Sequence, residues 1–164
     1  MKSNVNAQLK QRDSALVREN LGFLLQLAHR RIQRELNQEL LPSQLEARHM
    51  AVLALIRDHP LTQRGLIDRL EIDKSSAVYI VDDLERLGLA TREPDANDRR
   101  ANAVQITRKG RKFLADGLKI VQRVQSRAVN SFTAADIASL RDLLNRLLEN
   151  LPNASPRQEV EKEN

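Results

Sequence analysis

The chain of 164 residues contains no cysteine and no tryptophan, and its aromatic residues are one tyrosine and three phenylalanines. The absence of cysteine excludes disulfides, thiol redox sensing and cysteine metal sites, and it fits a reducing compartment. No apolar run approaches the length of a membrane span, and the first residues lack a signal-peptide core. We therefore predict a cytoplasmic protein without a membrane partner.

Motifs that carry chemistry are also missing from the sequence. It has no glycine-rich phosphate loop and no serine beside a histidine in a recognisable motif, and its three histidines are scattered without metal spacing. We therefore predict neither an enzyme nor a cofactor or metal site. The length predicts a single domain over residues 1–164.

Positive charge is abundant and unevenly placed. The formal net charge is +5, and six Lys or Arg residues but no acid lie between Arg99 and Lys112. Such a run creates a positive field that suits a polyanion. Nucleic acid is therefore the partner that the placement of charge favours.

A helix-turn-helix pattern precedes this basic run. Asp73 is a suitable N-cap for a helix from Lys74 to Leu87, whose apolar residues recur at helical spacing and which Gly88 would end. Thr62 can cap a helix before it, and only a tight turn fits between the two. The second helix is therefore the predicted recognition helix. Its other face carries Lys74, Ser75, Ser76 and Tyr79.

The residues after this helix predict a β-hairpin. We expect strands over residues 89–93 and 103–106, with a polar turn over 94–98 and with Arg99 and Arg100 at the tip. A basic hairpin that follows a recognition helix is a wing. Together with a helix predicted over residues 44–58, it completes a winged helix-turn-helix lobe over residues 44–107.

Long helices are predicted on both sides of the lobe. Apolar residues at steps of three and four predict one helix over residues 13–40, a second from Arg108 to about Phe132, and a third that begins after Thr133 and ends near Leu151. The leucine pattern of the third helix is too short for an independent coiled coil, so it must pack on something. Residues 152–164 are predicted to be a flexible tail. The fold class is thus mainly α, with a small β-hairpin wing.

Three segments carry a resemblance to a known family: residues 84–89 (LERLGL), 95–101 (DANDRRA) and 106–110 (ITRKG). They resemble, in order and spacing, the winged-helix core of the MarR family of bacterial transcription regulators. Tyr79 and Asp83 depart from the family pattern, in which basic residues are common at these positions, and Ala96 replaces a frequent proline. The first two departures concern the surface that would meet bases.

The resemblance implies a homodimer that binds a palindromic operator in double-stranded DNA. The helices over residues 13–40 and 108–151 would form the dimerisation layer, in agreement with their surplus of apolar residues. A repressor released by a small aromatic or phenolic ligand is the expected form of control.

Each candidate DNA-binding residue has an expected role. Ser75, Ser76 and Tyr79 are expected to reach base edges or phosphates and Lys74 to anchor a phosphate, with Thr62 near the same surface, although these side chains could also be ordinary solvated residues. The resemblance further implies that one tip arginine pairs with a carboxylate while the other enters a minor groove. Which arginine takes which role stays open. The expected wing supports are Asp82 and Asp98.

A ligand site is expected at three residues. His29 and His49 each lie at the edge of an apolar row on a predicted helix, and Arg48 adjoins the second. In the family that the chain resembles, small aromatic carboxylates or phenols often bind between the dimer layer and the lobe, and a cation beside apolar walls suits them. The alternative is that both histidines are packing residues and that Arg48 is solvated.

Two functions of different class follow from these patterns. The first is a ligand-controlled, sequence-specific regulator. The second is a winged-helix module that binds another protein, or that coats DNA without sequence preference. The wing arginines and the polar helix face favour the first.

Overall fold

The computed structural model of the protein describes residues 19–95 and 102–151. Contacts divide the chain into two compact units, residues 1–126 and 127–164. The prediction of a mainly helical fold with a small antiparallel wing is confirmed. In chain order the elements are α1 (Leu21–Leu40), α2 (Ala47–Leu55), β1 (Leu61–Thr62), α3 (Gln63–Leu70), α4 (Lys74–Arg86), β2 (Ala90–Pro94), β3 (Asn102–Ile106), α5 (Arg108–Ala128) and α6 (Ala134–Asn150).

The wing is part of a three-stranded antiparallel sheet in the order β1, β3, β2. β2 and β3 pair from Ala90 opposite Ile106 to Pro94 opposite Asn102. β1, which pairs Leu61 with Val104, was not predicted, because two residues are too few to show a strand pattern. The short strand fastens the start of the helix-turn-helix to the base of the wing.

The core of the first unit joins the helix-turn-helix to the wing. The inward residues predicted for α4 are buried, and Leu66 of α3 is buried with them. Leu53 of α2 and Val104 of β3 belong to the same cluster. Burying such side chains contributes about 1.5 to 3 kcal/mol each. The helix that meets DNA in the prediction is thus held by helices on one side and by the sheet on the other.

Several predicted helix bounds are wrong. The helix predicted over residues 44–58 is shorter, Ala47–Leu55, because Gln44 has a left-handed backbone (φ 59°) and Glu46 caps the helix. The helix predicted from residue 13 is observed from Leu21, where the Asn20 side chain accepts a hydrogen bond from the Phe23 N–H. Residues 13–18 and the predicted tail over residues 152–164 lie outside the described residues.

The close packing at the start of α5 requires a glycine at position 110. A Cβ on this glycine would lie 2.0 Å from the Leu89 carbonyl oxygen and 2.8 Å from Ile106 Cγ1. Thr107 caps α5, since its hydroxyl accepts from the Gly110 N–H at 3.0 Å. The close approach locks α5 against the turn that follows α4.

The second unit contains α6, which begins at a capping box. Thr133 accepts from the Asp136 N–H at 3.1 Å, and the Asp136 carboxylate accepts from the Thr133 N–H at 2.8 Å. The helix therefore begins after Thr133, as the sequence predicted. No residue of α6 is buried. Its exposed apolar side chains are Leu140, Leu143 and Leu148, and Leu151 follows them. Within the described ranges, no helix is long and apolar enough to cross a membrane.

Candidate nucleic-acid interface

α4 has the two faces expected of a recognition helix. Ala77, Ile80, Val81 and Leu84 are buried in the core. The helix ends at Leu87, which caps it, and Gly88 follows with φ 68°, a conformation that suits glycine. The predicted bounds are therefore correct to one residue, and the outward face is fixed by the packing of the inward one.

Asp73 organises the start of this helix. Its carboxylate accepts from the Ser76 N–H at 2.8 Å, from the Ser76 hydroxyl at 2.6 Å and from the Ser75 hydroxyl. These hydrogen bonds, from the Ser75 hydroxyl first and from Ser76 next, hold the pKa of Asp73 far below its usual range. The two serines that were predicted to contact DNA are therefore hydrogen-bonded to a carboxylate that is ionised at neutral pH.

A shallow hollow follows the exposed face of α4. The side chains that line it come from the cap and from five residues on one face of the helix: Asp73, Lys74, Ser75, Val78, Tyr79 and Asp82. The hollow contains three of the predicted DNA-binding residues. It also contains Val78, which was missed because an apolar residue beside buried ones looks like a core residue in the sequence. On a recognition helix, an exposed aliphatic side chain can contact a thymine methyl group.

Arg92 links α4 to the wing. Its side chain donates to Asp82 at 2.6 Å and also to Glu85, while its backbone N–H donates to Glu85 at 2.8 Å. Asp82 was expected to support the wing by pairing with a tip arginine, and here its contact is with Arg92 of β2. The sequence signal for this link was the pair of acids three residues apart on α4, opposite a strand that carries an arginine.

The wing tip is outside the described part of the chain. Arg99, Arg100 and Asp98, which carry the wing predictions, lie in the gap between residues 95 and 102. Thr62 is described and caps α3, since its hydroxyl accepts from the Gly65 N–H at 3.1 Å. That hydroxyl is half-buried, so the predicted DNA contact of Thr62 stays a prediction.

Arg48 lies beside the recognition helix. Its guanidinium carbon is 4.9 Å from the centre of the Tyr79 ring, within the range of a cation–π contact. Glu46 holds the other side of the guanidinium, with an N to O distance of 3.0 Å. The residue proposed as a ligand anchor is therefore also a neighbour of a proposed base-reading residue.

His49 is buried, with 1% of its surface exposed. Its Nδ1 accepts from the Glu46 N–H at 3.0 Å, so the neutral ring carries its proton on Nε2. Nε2 lies 3.4 Å from Asp83 Oδ2 but is not aligned for a hydrogen bond. Burial first, and then the Arg48 cation, lower the pKa of His49. The imidazole thus caps α2 and contacts α4 as a neutral group.

His29 lies elsewhere. It lines an open hollow along α1 with Arg30, Gln33, Arg34, Asn37, Gln38 and Leu41. Neither Arg48 nor His49 is among the residues that line this hollow. The hollow at His29 therefore does not include the other two predicted ligand residues, and a ligand site built from all three stays a prediction.

Comparison with known proteins agrees with this geometry. Residues 43–101 match the sequence model of the MarR family. The structure of apo MarR from Escherichia coli is similar to this chain, with 28% identity and a TM-score of 0.69 over 79% of this chain and 97% of that one. The match to the family model, over residues 43–101, therefore covers α4 and β2.

Two further structures are similar and contain a partner molecule. One is a cysteine-to-serine variant of Escherichia coli MarR in complex with operator DNA, with 28% identity and a TM-score of 0.70 over 78% of this chain and 93% of that one. The other is CouR from Rhodococcus jostii bound to p-coumaroyl-CoA, with 27% identity and a TM-score of 0.72 over 85% of this chain and 98% of that one. Operator DNA is thus the partner of the first of these proteins, and p-coumaroyl-CoA that of the second.

Proposed function

Because the chain is a winged-helix transcription regulator of the MarR family, we propose that it binds a palindromic operator as a homodimer and represses the adjoining gene until a small ligand releases it. Regulators of this family bind DNA and are not enzymes. The observation that carries the proposal is the exposed face of α4, which Arg92 joins to the wing. Such a protein works where the chromosome is, so we propose the cytoplasm as its location.

The proposed contacts with DNA divide into anchoring and readout. Lys74 supplies a flexible cation that suits a phosphate, whereas Ser75, Ser76 and Tyr79 are the proposed base contacts in a major groove. The hollow along α4, which Lys74, Ser75 and Tyr79 help to line, supports this division. The wing arginines, Arg99 and Arg100, remain part of the proposal on the strength of the sequence. The link from Arg92 to Asp82 supports it, because it fixes the direction in which the wing leaves α4.

The homodimer is proposed from apolar surface at the ends of the chain. In the first half of α1, Leu21, Phe23 and Leu24 are exposed, and α6 exposes a row of leucines. Exposed apolar patches of this kind mark protein interfaces. A second copy of the chain is the proposed partner, because a two-fold dimer would present two recognition helices to the two halves of a palindrome.

Ligand release is proposed for an aromatic acid or a phenol. A similar protein, CouR, has been solved with p-coumaroyl-CoA, an aromatic thioester. His29 lies in an open hollow with two arginines, which would suit an anion, while Arg48 was the original candidate anchor. Calorimetry with benzoate, salicylate and hydroxycinnamate, on the wild type and on Arg48→Ala and Arg34→Ala, tests both positions. Binding that neither substitution weakens would remove both anchors, and no binding would remove ligand control.

A titration with DNA tests the function itself. We expect a palindrome from the upstream region of the gene to bind at least about 1,000-fold more tightly than random duplex at the same salt concentration. The alternative is a winged-helix module that binds another protein, or that coats DNA without sequence preference and without ligand control. Equal affinity for both duplexes would favour the coating module, and the absence of binding to either would favour the protein-binding module.

A further inference from the structure

The Asp73 carboxylate determines how two serine hydroxyls on the recognition helix can interact with DNA. Ser75 Oγ donates to Oδ1 of Asp73, and Ser76 Oγ donates to Oδ2 at 2.6 Å. The Ser76 N–H also donates to Oδ1, at 2.8 Å. Both carboxylate oxygens are thus occupied by donors from the first turn of α4.

In these hydrogen bonds the serine hydroxyls must donate and the Asp73 carboxylate must accept. The pKa of Asp73 is held far below its usual range by the Ser75 hydroxyl and then by Ser76, so the carboxylate is ionised at neutral pH and can only accept. A serine hydroxyl has a single proton. Each of the two protons is therefore committed to Asp73, and the free lone pairs of both oxygens remain for a ligand.

The other side chains on the exposed face of α4 also offer no free donor to a base edge. One turn and two turns after Ser75 come Val78, which has no polar group, and Asp82, which can only accept and is held by Arg92. Lys74 and Tyr79 carry the donors on this face. The flexible Lys74 ammonium suits a phosphate better than a base edge, and the Tyr79 hydroxyl donates its proton to the Asp83 carboxylate. The side chains placed to contact bases therefore offer acceptors.

Base edges differ in the partner that such acceptors need. In the major groove, the adenine N6 and cytosine N4 amino groups donate, whereas guanine offers the acceptors O6 and N7. A serine oxygen whose proton is committed would face a guanine edge acceptor to acceptor, and both groups would lose their water without gaining a hydrogen bond.

We propose that Ser75 and Ser76 accept hydrogen bonds from adenine or cytosine amino groups and so exclude guanine at the base positions that they meet. This inference rests on the proposed function, since it specifies what the recognition helix selects in an operator. It differs from the usual expectation for a basic recognition surface, in which arginine or lysine selects guanine.

The first step of the test is to select duplexes from a random pool with the wild type, Ser75→Ala and Ser76→Ala. The positions at which a serine variant loses its preference are those that the serine contacts, and we expect adenine or cytosine there. Ser131→Ala, in the exposed turn before α6, is the matched control and should select the wild-type sequence. If the wild type selects no sequence, the proposed function fails. Guanine at the serine-dependent positions, or no serine-dependent position in an otherwise specific operator, overturns only the inference.

Base analogues then test the direction of the hydrogen bond. Replacing the selected adenine by purine removes its N6 amino group, and replacing cytosine by 2-pyrimidinone removes its N4 amino group. We expect either change to weaken wild-type binding about five-fold, as for one neutral hydrogen bond, and to have no additional effect on the serine variant. The analogue also pairs more weakly with the opposite base, but this effect on affinity is the same for the wild type and for the serine variant. The difference between the two proteins therefore reports the serine contact alone. A serine-dependent loss with 7-deazaadenine, which lacks only the N7 acceptor, would contradict the proposal.

Asp73→Asn provides a second variant that keeps the cap. An asparagine oxygen can still accept from the Ser76 N–H, but its amide nitrogen donates, so one serine hydroxyl proton becomes available to DNA. We expect the selected base at one serine-dependent position to change toward guanine. Selection identical to that of the wild type would show that Asp73 does not set the direction of the serine hydrogen bonds.

Discussion

The winged-helix lobe, residues 44–107, and the helices at the two ends of the chain cover their apolar residues to very different extents. In the lobe, Leu66, Val81 and Leu84 have no exposed surface. In α6 no residue is buried, and Leu143 and Leu148 are 57% and 65% exposed. One chain is therefore enough to complete the core of the lobe, whereas the terminal helices carry apolar surface that one chain leaves uncovered.

The largest expected effect tests how tightly the lobe is packed. Gly110→Ala would place a methyl group 2.0 Å from the Leu89 carbonyl oxygen, which belongs to the backbone and cannot rotate away. We expect a loss of about 3 kcal/mol of unfolding free energy, measured by urea denaturation. Unchanged stability would mean that α5 can move relative to the lobe. The lobe would then be less tightly packed than its buried residues indicate.

The second prediction tests the uncovered surface. Replacing Leu143 and Leu148 together with Gln should turn a dimer into a monomer at micromolar concentration, because each change removes buried apolar area from a two-fold interface. We expect the dissociation constant to rise about 100-fold, or about 2.7 kcal/mol. Sedimentation measures it, with Asn145→Gln on the same helix as the control. A monomeric wild type, or a double variant that remains a dimer, would contradict the expected role of α6.

The third prediction concerns the buried polar residue of the lobe. His49→Ala removes the acceptor for the Glu46 N–H and leaves a small cavity, at a cost of about 2 kcal/mol. His49 also makes stability depend on pH, because burial and the Arg48 cation lower its pKa in the folded state, although Asp83 and Glu46 oppose them.

The sign of the pH dependence follows from this lowered pKa. The unfolded chain, in which the His49 pKa returns to about 6.5, binds the proton more readily than the folded chain. Stability should therefore be complete above pH 6.5 and should fall as the pH drops through that value. Urea denaturation at pH 7.5 and 5.5 measures the difference, which should be smaller in His49→Ala. An equal difference in the variant would show that other groups cause it.

The fourth prediction separates anchoring from readout on α4. Lys74→Ala should weaken binding to all duplexes alike, by about 1 kcal/mol, and should reduce the salt dependence by about one unit of slope. Tyr79→Ala should instead change the preferred sequence. Arg48→Ala should weaken that preference in part, because the guanidinium holds one face of the Tyr79 ring. If Lys74→Ala changed the preferred sequence and Tyr79→Ala did not, the two roles would be reversed.

The smallest expected effect on stability is that of replacing a second glycine, Gly22, which is not tightly packed as Gly110 is. Gly22 lies in the exposed first turn of α1, where, among the described residues, a Cβ would meet the Asn20 side chain alone, at 3.4 Å. Gly22→Ala should therefore stabilise the protein by about 0.5 to 1 kcal/mol, the helix preference of alanine over glycine. Thermal unfolding of Gly22→Ala and of Gly110→Ala compares a glycine in the exposed part of a terminal helix with a glycine packed against the lobe. A loss of stability at Gly22 would mean that this end of α1 is closely packed.

Local signals in the sequence predicted much of the lobe. Asp73 and Gly88 define the recognition helix, because caps act on their own helix, and the apolar spacing gives its buried face. β1 and the link from Arg92 to Asp82 were missed, because each depends on residues brought together from distant parts of the chain. The same limit applies to Arg48, whose contact with Tyr79 crosses from one helix to another.

The central claim is that two self-contained lobes, joined through their terminal helices, act as one DNA-binding unit. The most direct test measures affinity and stoichiometry on a selected palindrome and on one half-site in the same salt. We expect two chains on the palindrome and binding at least about 100-fold tighter than on the half-site, as for linked binding modules. One chain on the palindrome, or equal affinity for both duplexes, would contradict the claim.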